Sequence, residues 1–170
     1  NFMSGFSSSF LIFFYQIALG GLFALAGTPF HEIERGFYKS TAGVLYTLAS
    51  LGLWGKSALY AESFADGLTW GIGLEIASHV VFMLSFSCYM ASLWGERQVL
   101  RARSFAASLL TGLAGLVFST HNFYQASFFS IETFTYPLSF FLSALLLGSV
   151  TVGMLSGHWY LIDTGQSLEP

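Results

Sequence analysis

LTWGIGLEIASHVVFMLSFSCYMASL, running from Leu68 to Leu93, is the stretch whose reading decides the fold. It carries a single formal charge, Glu75. A helix that crosses the hydrocarbon of a bilayer needs roughly 20 mainly apolar residues, within a range of about 17 to 25. A lipid-facing β-barrel strand would instead alternate apolar and polar residues over about ten positions, and this run stays apolar for far longer. It reads as a transmembrane helix.

The rest of the chain repeats the pattern. Of 170 residues only six are Lys or Arg and nine are Asp or Glu, 9% in all, where a soluble domain carries about 25%. With 54% hydrophobic residues and a mean hydropathy of +0.65, too little polar surface exists to coat a globule of this size. A soluble single domain is excluded on that ground. Disorder fails for the same reason, a nucleic-acid binder fails on the net charge of −3, and a disulfide scaffold fails on the single cysteine.

The charges gather in clusters: Glu32, Glu34, Arg35 and Lys39; Lys56, Glu62 and Asp66; Glu96, Arg97, Arg101 and Arg103; then Glu132, Asp163 and Glu169. The gaps between them predict an all-α polytopic membrane protein, one transmembrane domain over 1–170, with spans at about 5–28, 38–58, 68–93, 104–121 and 136–160. Snorkelling of Lys39 and Lys56 extends the short second span. Five spans put Arg35, Lys39, Arg97, Arg101 and Arg103 on the side of the C-terminus and leave Lys56 alone on the other. The positive-inside rule then places the N-terminus outside and the C-terminus in the cytoplasm, in a membrane of the bacterial inner type. No basic segment precedes the first apolar run, which argues against an uncleaved signal peptide.

Helices in lipid associate through close approach of small residues and through polar contacts. Ser149, Gly153 and Gly157 in the fifth span form such a face. So do Ser108, Gly112, Gly115 and Ser119 in the fourth, Gly71 and Gly73 in the third, and Gly20, Gly21 and Ala24 in the first. The same glycines could instead clear room for a flat cofactor. Gln16 is a candidate interhelical hydrogen-bond partner, and Cys88 reads as a small buried hydrophobe. The loop 122–136 holds six aromatic residues and no basic one. Aromatic rings favour the headgroup region, so it reads as a surface-lying segment, or alternatively as a docking surface.

Glu75 is the one charge inside a span, and His79 follows it at i+4 on the same helix face. A carboxylate at that depth is expensive and faces a bundle interior, a cavity or a partner. The pair suits a proton relay, an ion, metal or cofactor site, or a carboxylate that fixes the imidazole tautomer; equally, it could only tie helices together. His79 is the one histidine near mid-membrane, so a bis-histidine haem within this chain is disfavoured. Single-histidine haem or chlorin ligation stays open, while c-type haem is excluded because no CxxCH occurs. At the inner boundary, His31, Glu34 and His158 form a candidate metal set, and His158, Trp159 and Tyr160 a candidate quinone site or a group of interfacial anchors.

Three functions follow. The first is a non-catalytic subunit of a larger membrane complex, of electron-transfer or light-driven type, that docks other membrane subunits and helps hold haem, quinone or pigment. The second is a small proton-coupled transporter subunit using Glu75 and His79. The third is an integral-membrane metalloenzyme. The bilayer and neighbouring subunits are the expected partners, and no nucleotide or nucleic-acid motif is present.

Overall fold

The computed structural model describes residues 2–28, 33–67, 69–124 and 131–166. Five α-helices, with no strand among the described residues, make up the fold: α1 (Phe2–Ala26), α2 (Arg35–Asp66), α3 (Trp70–Ser92), α4 (Gln98–Tyr124) and α5 (Glu132–Gln166). Trp70–Ser92, Gln98–Tyr124 and Glu132–Ile162 are each long and apolar enough to cross a membrane, and Leu11–Ala26 is a shorter apolar helix. Large apolar side chains cover the outside of the bundle, among them Leu84, Leu110, Leu146 and Met154, each more than half exposed. A continuous surface of this kind is unstable in water and matches a lipid environment.

Local signals set the helix ends. The α2 helix stops at Gly67, whose φ of 102° suits a residue without Cβ. At the start of α3 the Thr69 hydroxyl accepts a hydrogen bond from the Ile72 amide at 3.4 Å. After α1, the Thr28 hydroxyl donates to the Leu25 carbonyl at 2.7 Å and lies 3.0 Å from the Tyr38 hydroxyl, which ties the turn to α2.

The α1 helix occupies the centre, packed on α2, α4 and α5, while α3 pairs mainly with α4. Ala18, Leu19, Leu22 and Leu25 of α1 are completely buried. The approach of α1 to α5 is closest at Gly20 and Gly148, where a Cβ on either residue would run into the backbone of the opposite helix. Gln16 Nε2 donates to the Phe140 carbonyl at 3.0 Å across the same contact, as its lone position in an apolar run implied. Along α3, one stripe of Glu75, His79, Phe82, Phe86 and Tyr89 is buried, so the core grades from charged at one end to aromatic at the other.

Several expectations are corrected. Gly153 and Gly157 do not mediate packing within the chain, since a Cβ at either position meets no described atom within 4 Å. The small-residue contact of α5 is made one face away, at Ala144 and Gly148. Cys88 is exposed on the outside of α3 rather than buried in the bundle. The loop 122–136 is shorter than predicted, because α4 runs to Tyr124 and α5 begins at Glu132; the two helix ends are joined by a stacked Tyr124–Tyr136 pair with ring centroids 4.2 Å apart. The small face of α4, by contrast, is buried throughout: Ser108, Gly112, Gly115 and Ser119 all point inward.

Candidate functional site

Near the start of α3, side chains of α2 and α4 converge on Glu75. Ala42, Leu45, Ala49 and Gly52 line the buried face of α2, and the same 3.6-residue period carries that face on to Lys56 and Tyr60. Lys56 therefore points into the bundle. Its relative exposure is 8% and that of Glu75 is 4%. The Nζ of Lys56 forms an ion pair with Oε1 of Glu75. This corrects the snorkelling expected of Lys56: α2 continues to Asp66, so the lysine lies inside the helix and not at its end.

The carboxylate is saturated with donors. Besides Lys56, its Oε1 accepts from the Ser119 hydroxyl at 2.7 Å and the Tyr60 hydroxyl at 2.8 Å, while Oε2 accepts from Asn122 Nδ2 at 2.7 Å. Lys56 also donates to the Ser119 hydroxyl at 2.8 Å and sits 5.7 Å from the centre of the Tyr60 ring. A buried ion pair is tolerable only when its remaining hydrogen-bonding capacity is met in this way.

His79 joins the group through Tyr60 and not through a side-chain bond to Glu75. The Tyr60 hydroxyl lies 3.3 Å from His79 Nδ1. A phenol has one proton, and Tyr60 donates it to Glu75, so Nδ1–H of His79 is the donor to the Tyr60 oxygen. That network assigns the Nδ1–H tautomer and leaves Nε2 as a bare acceptor. Nε2 is buried and has no hydrogen-bond partner among the described residues.

Glycines make the room for these side chains. A Cβ at Gly115 would lie 2.8 Å from the Tyr15 hydroxyl and 3.1 Å from His79 Nε2, and one at Gly71 would lie 2.6 Å from Asn122 Oδ1. The Tyr15 ring meets His79 edge-on at 4.8 Å, and its hydroxyl donates to the Gly112 carbonyl at 2.8 Å. Gly112 and Gly115 thus clear space for a tyrosine and a histidine. Gly115 lies against the Nε2 edge of His79, the edge that an axial metal bond would use.

The other predicted residues are not brought together in the same way. His31 lies outside the described residues. Glu34 is exposed beside a cavity of about 450 Å³ that Phe37, Trp159 and Tyr160 also line, whereas His158 is exposed on α5 and does not line it. The Trp159 indole packs inside the chain, covering Gly36 and meeting the Phe37 ring at a centroid distance of 6.4 Å. No group of three His, Cys, Asp or Glu side chains suited to a metal ion occurs among the described residues. The sequence reading missed Lys56, Tyr60, Ser119, Asn122 and Tyr15. For the first two, the signal was available in the period of the α2 stripe.

Comparison of the chain with protein-family models, with curated proteins and with solved structures yields no match in any of the three. The geometry of the site is therefore what bears on function.

Proposed function

We propose that the chain is an integral-membrane subunit with five transmembrane helices, its N-terminus outside and its C-terminus in the cytoplasm, that transfers protons through His79, Tyr60 and Glu75. The observation that carries this reading is the buried Lys56–Glu75 pair with Tyr60 bridging it to His79. Apolar residues of similar volume hold helices together at least as well as a buried ion pair does, and ionisable groups at membrane depth mark ion and proton pathways. The orientation gains support from the same pair. Lys56, the one basic residue opposed to the other five, is neutralised by Glu75 and drops out of the charge balance between the two faces.

The donors of the network run in one direction. A proton that arrives on Nε2 of His79 makes an imidazolium, which passes its Nδ1 proton to the Tyr60 oxygen. Tyr60 passes its own proton to Glu75 in the same motion, and no charged tyrosine forms. Protonated Glu75 is neutral, so its hold on Lys56 weakens, and the lysine retains Ser119 as a hydrogen-bond acceptor. Proton arrival is in this way coupled to a change in how α2 meets α3 and α4. Proton flux in proteoliposomes, lost in Glu75→Gln, is the test. Equal flux in the two proteins rejects the reading.

The second reading is a non-catalytic docking subunit of a larger complex, of electron-transfer or light-driven type. It is favoured by α5, whose Gly153 and Gly157 are exposed and meet no described atom within 4 Å of an added Cβ, as they would if this small-residue face were reserved for a helix of another subunit. The two readings are compatible, and the subunits that co-purify with the chain distinguish a subunit from a protein acting alone.

A further inference from the structure

The opposite end of the bundle holds a second polar site. Tyr89 lies fourteen residues beyond Glu75 on the same helix, or about 21 Å along its axis. There the start of α2, the end of α3 and the start of α4 enclose a cavity of about 440 Å³, whose lining includes Arg35, Tyr38, Tyr89, Leu93, Arg101 and Phe105. Among the described residues its lining carries two guanidinium groups and no acidic side chain.

Two of these residues hold hydrogen-bonding capacity that the described chain leaves unused. Tyr89 is completely buried, packed between Phe86 at 6.3 Å and Phe105 at 4.9 Å, yet its hydroxyl has no hydrogen-bond partner. Arg101 is held in place by its Nη2, which donates to the Gly95 carbonyl at 2.9 Å and to the Ser92 carbonyl at 3.4 Å. Its Nε is buried and unpaired. A buried donor without a partner is costly, and here two occur in the wall of one cavity.

We propose that this cavity binds the phosphodiester headgroup of an acidic phospholipid, with Arg35 and Arg101 on the phosphate oxygens and the Tyr89 hydroxyl as a further donor. Guanidinium groups suit phosphate because their planar array of donors matches its oxygens and keeps its charge at any physiological pH. Leu93 and Phe105 supply apolar wall beside the polar one, and Val99 and Leu100 on the neighbouring surface of α4 are exposed, which gives the acyl chains a path along the helix. A basic pocket between helices at the cytoplasmic interface is a recognised setting for anionic headgroups. A zwitterionic headgroup brings a cation as well, and the described lining offers it no carboxylate.

Native mass spectrometry of the detergent-purified chain, titrated with phosphatidylglycerol and phosphatidylcholine of matched acyl chains, tests the proposal. The expected result is retention of phosphatidylglycerol over phosphatidylcholine, lowered about fivefold by Arg35→Gln and again by Arg101→Gln, and not displaced by inorganic phosphate. Arg35 is exposed at the start of α2, so Arg35→Gln carries the test even where Arg101→Gln disturbs the end of α3. Equal retention of both lipids, or unchanged retention in Arg35→Gln, overturns the proposal. Displacement by inorganic phosphate without lipid preference overturns it too, and assigns the site to the free anion.

Discussion

Lys56 on α2 and Glu75 on α3 meet inside the bundle, both more than nine-tenths buried, and Ser119 of α4 bonds to both of them. Three helices are thereby joined at one carboxylate. The pair is asymmetric in its support: Glu75 accepts four hydrogen bonds, whereas Lys56 gives one to Glu75 and one to Ser119. Loss of the carboxylate therefore strands more partners than loss of the ammonium.

Removal of either charge alone leaves the other buried without its counter-ion. Lys56→Met or Glu75→Gln should each destabilise the fold by about 3–5 kcal/mol, while the double variant recovers most of that loss. Unfolding in detergent measures all three. Losses that simply add in the double variant would mean that the two side chains are not paired.

Tyr60→Phe removes the hydroxyl that links Glu75 to His79 and leaves the ring in place. A hydrogen bond to a charged group is worth about 1.5–3 kcal/mol, so stability falls by that order. The tautomer of His79 also loses its restraint, and the imidazole nitrogen shifts in NMR should move from one Nδ1–H form to a mixture. Unchanged shifts would show that Tyr60 does not position His79.

Close approach of α1 to α5 makes a contrast among the glycines. Gly20→Ala and Gly148→Ala place a methyl group against backbone and should cost about 1–3 kcal/mol or more. Gly153→Ala, on the open face, should stay within about 0.5 kcal/mol. Thermal melts of the three variants decide it, and a large loss at Gly153 would mean that α5 is rotated from the position described.

Orientation is testable on a Cys88→Ser background. Under the proposed topology Glu132→Cys reacts with an impermeant maleimide added outside intact cells, and Glu96→Cys reacts only after permeabilisation. The reverse pattern would invert the bundle.

Much of this was legible in the chain itself, because one-sided patterns survive folding. The pairing of Glu75 with His79 on one face follows from their i, i+4 spacing, and the stripe continues through Phe82, Phe86 and Tyr89 as the helical period requires. The small residues of α4 behaved likewise. Two kinds of information were not legible. A GxxxG pair says that a helix can be approached, not from which side, so Gly153 and Gly157 looked like the contact that Gly148 makes. A lysine near the end of an apolar run looks the same whether the helix stops there or continues. Where α2 ends depends on Gly67, beyond the apolar stretch, and only with that boundary does Lys56 fall within the buried stripe. Tyr60 and Asn122 are neutral and near the interface, where polar residues are ordinary, so only the fold gives them a role.

Proton flux in the Lys56→Met/Glu75→Gln double variant is the most direct test of the central claim, because that variant restores charge balance and keeps the fold. Wild-type and variant proteins, reconstituted with their co-purifying subunits into vesicles loaded with a pH-sensitive dye, are compared under an imposed potential. If Glu75 carries protons, the double variant, folded and with most of the single-variant stability loss recovered, shows flux no greater than that of empty vesicles. A stable double variant with wild-type flux would contradict the account and leave the pair as a helix staple.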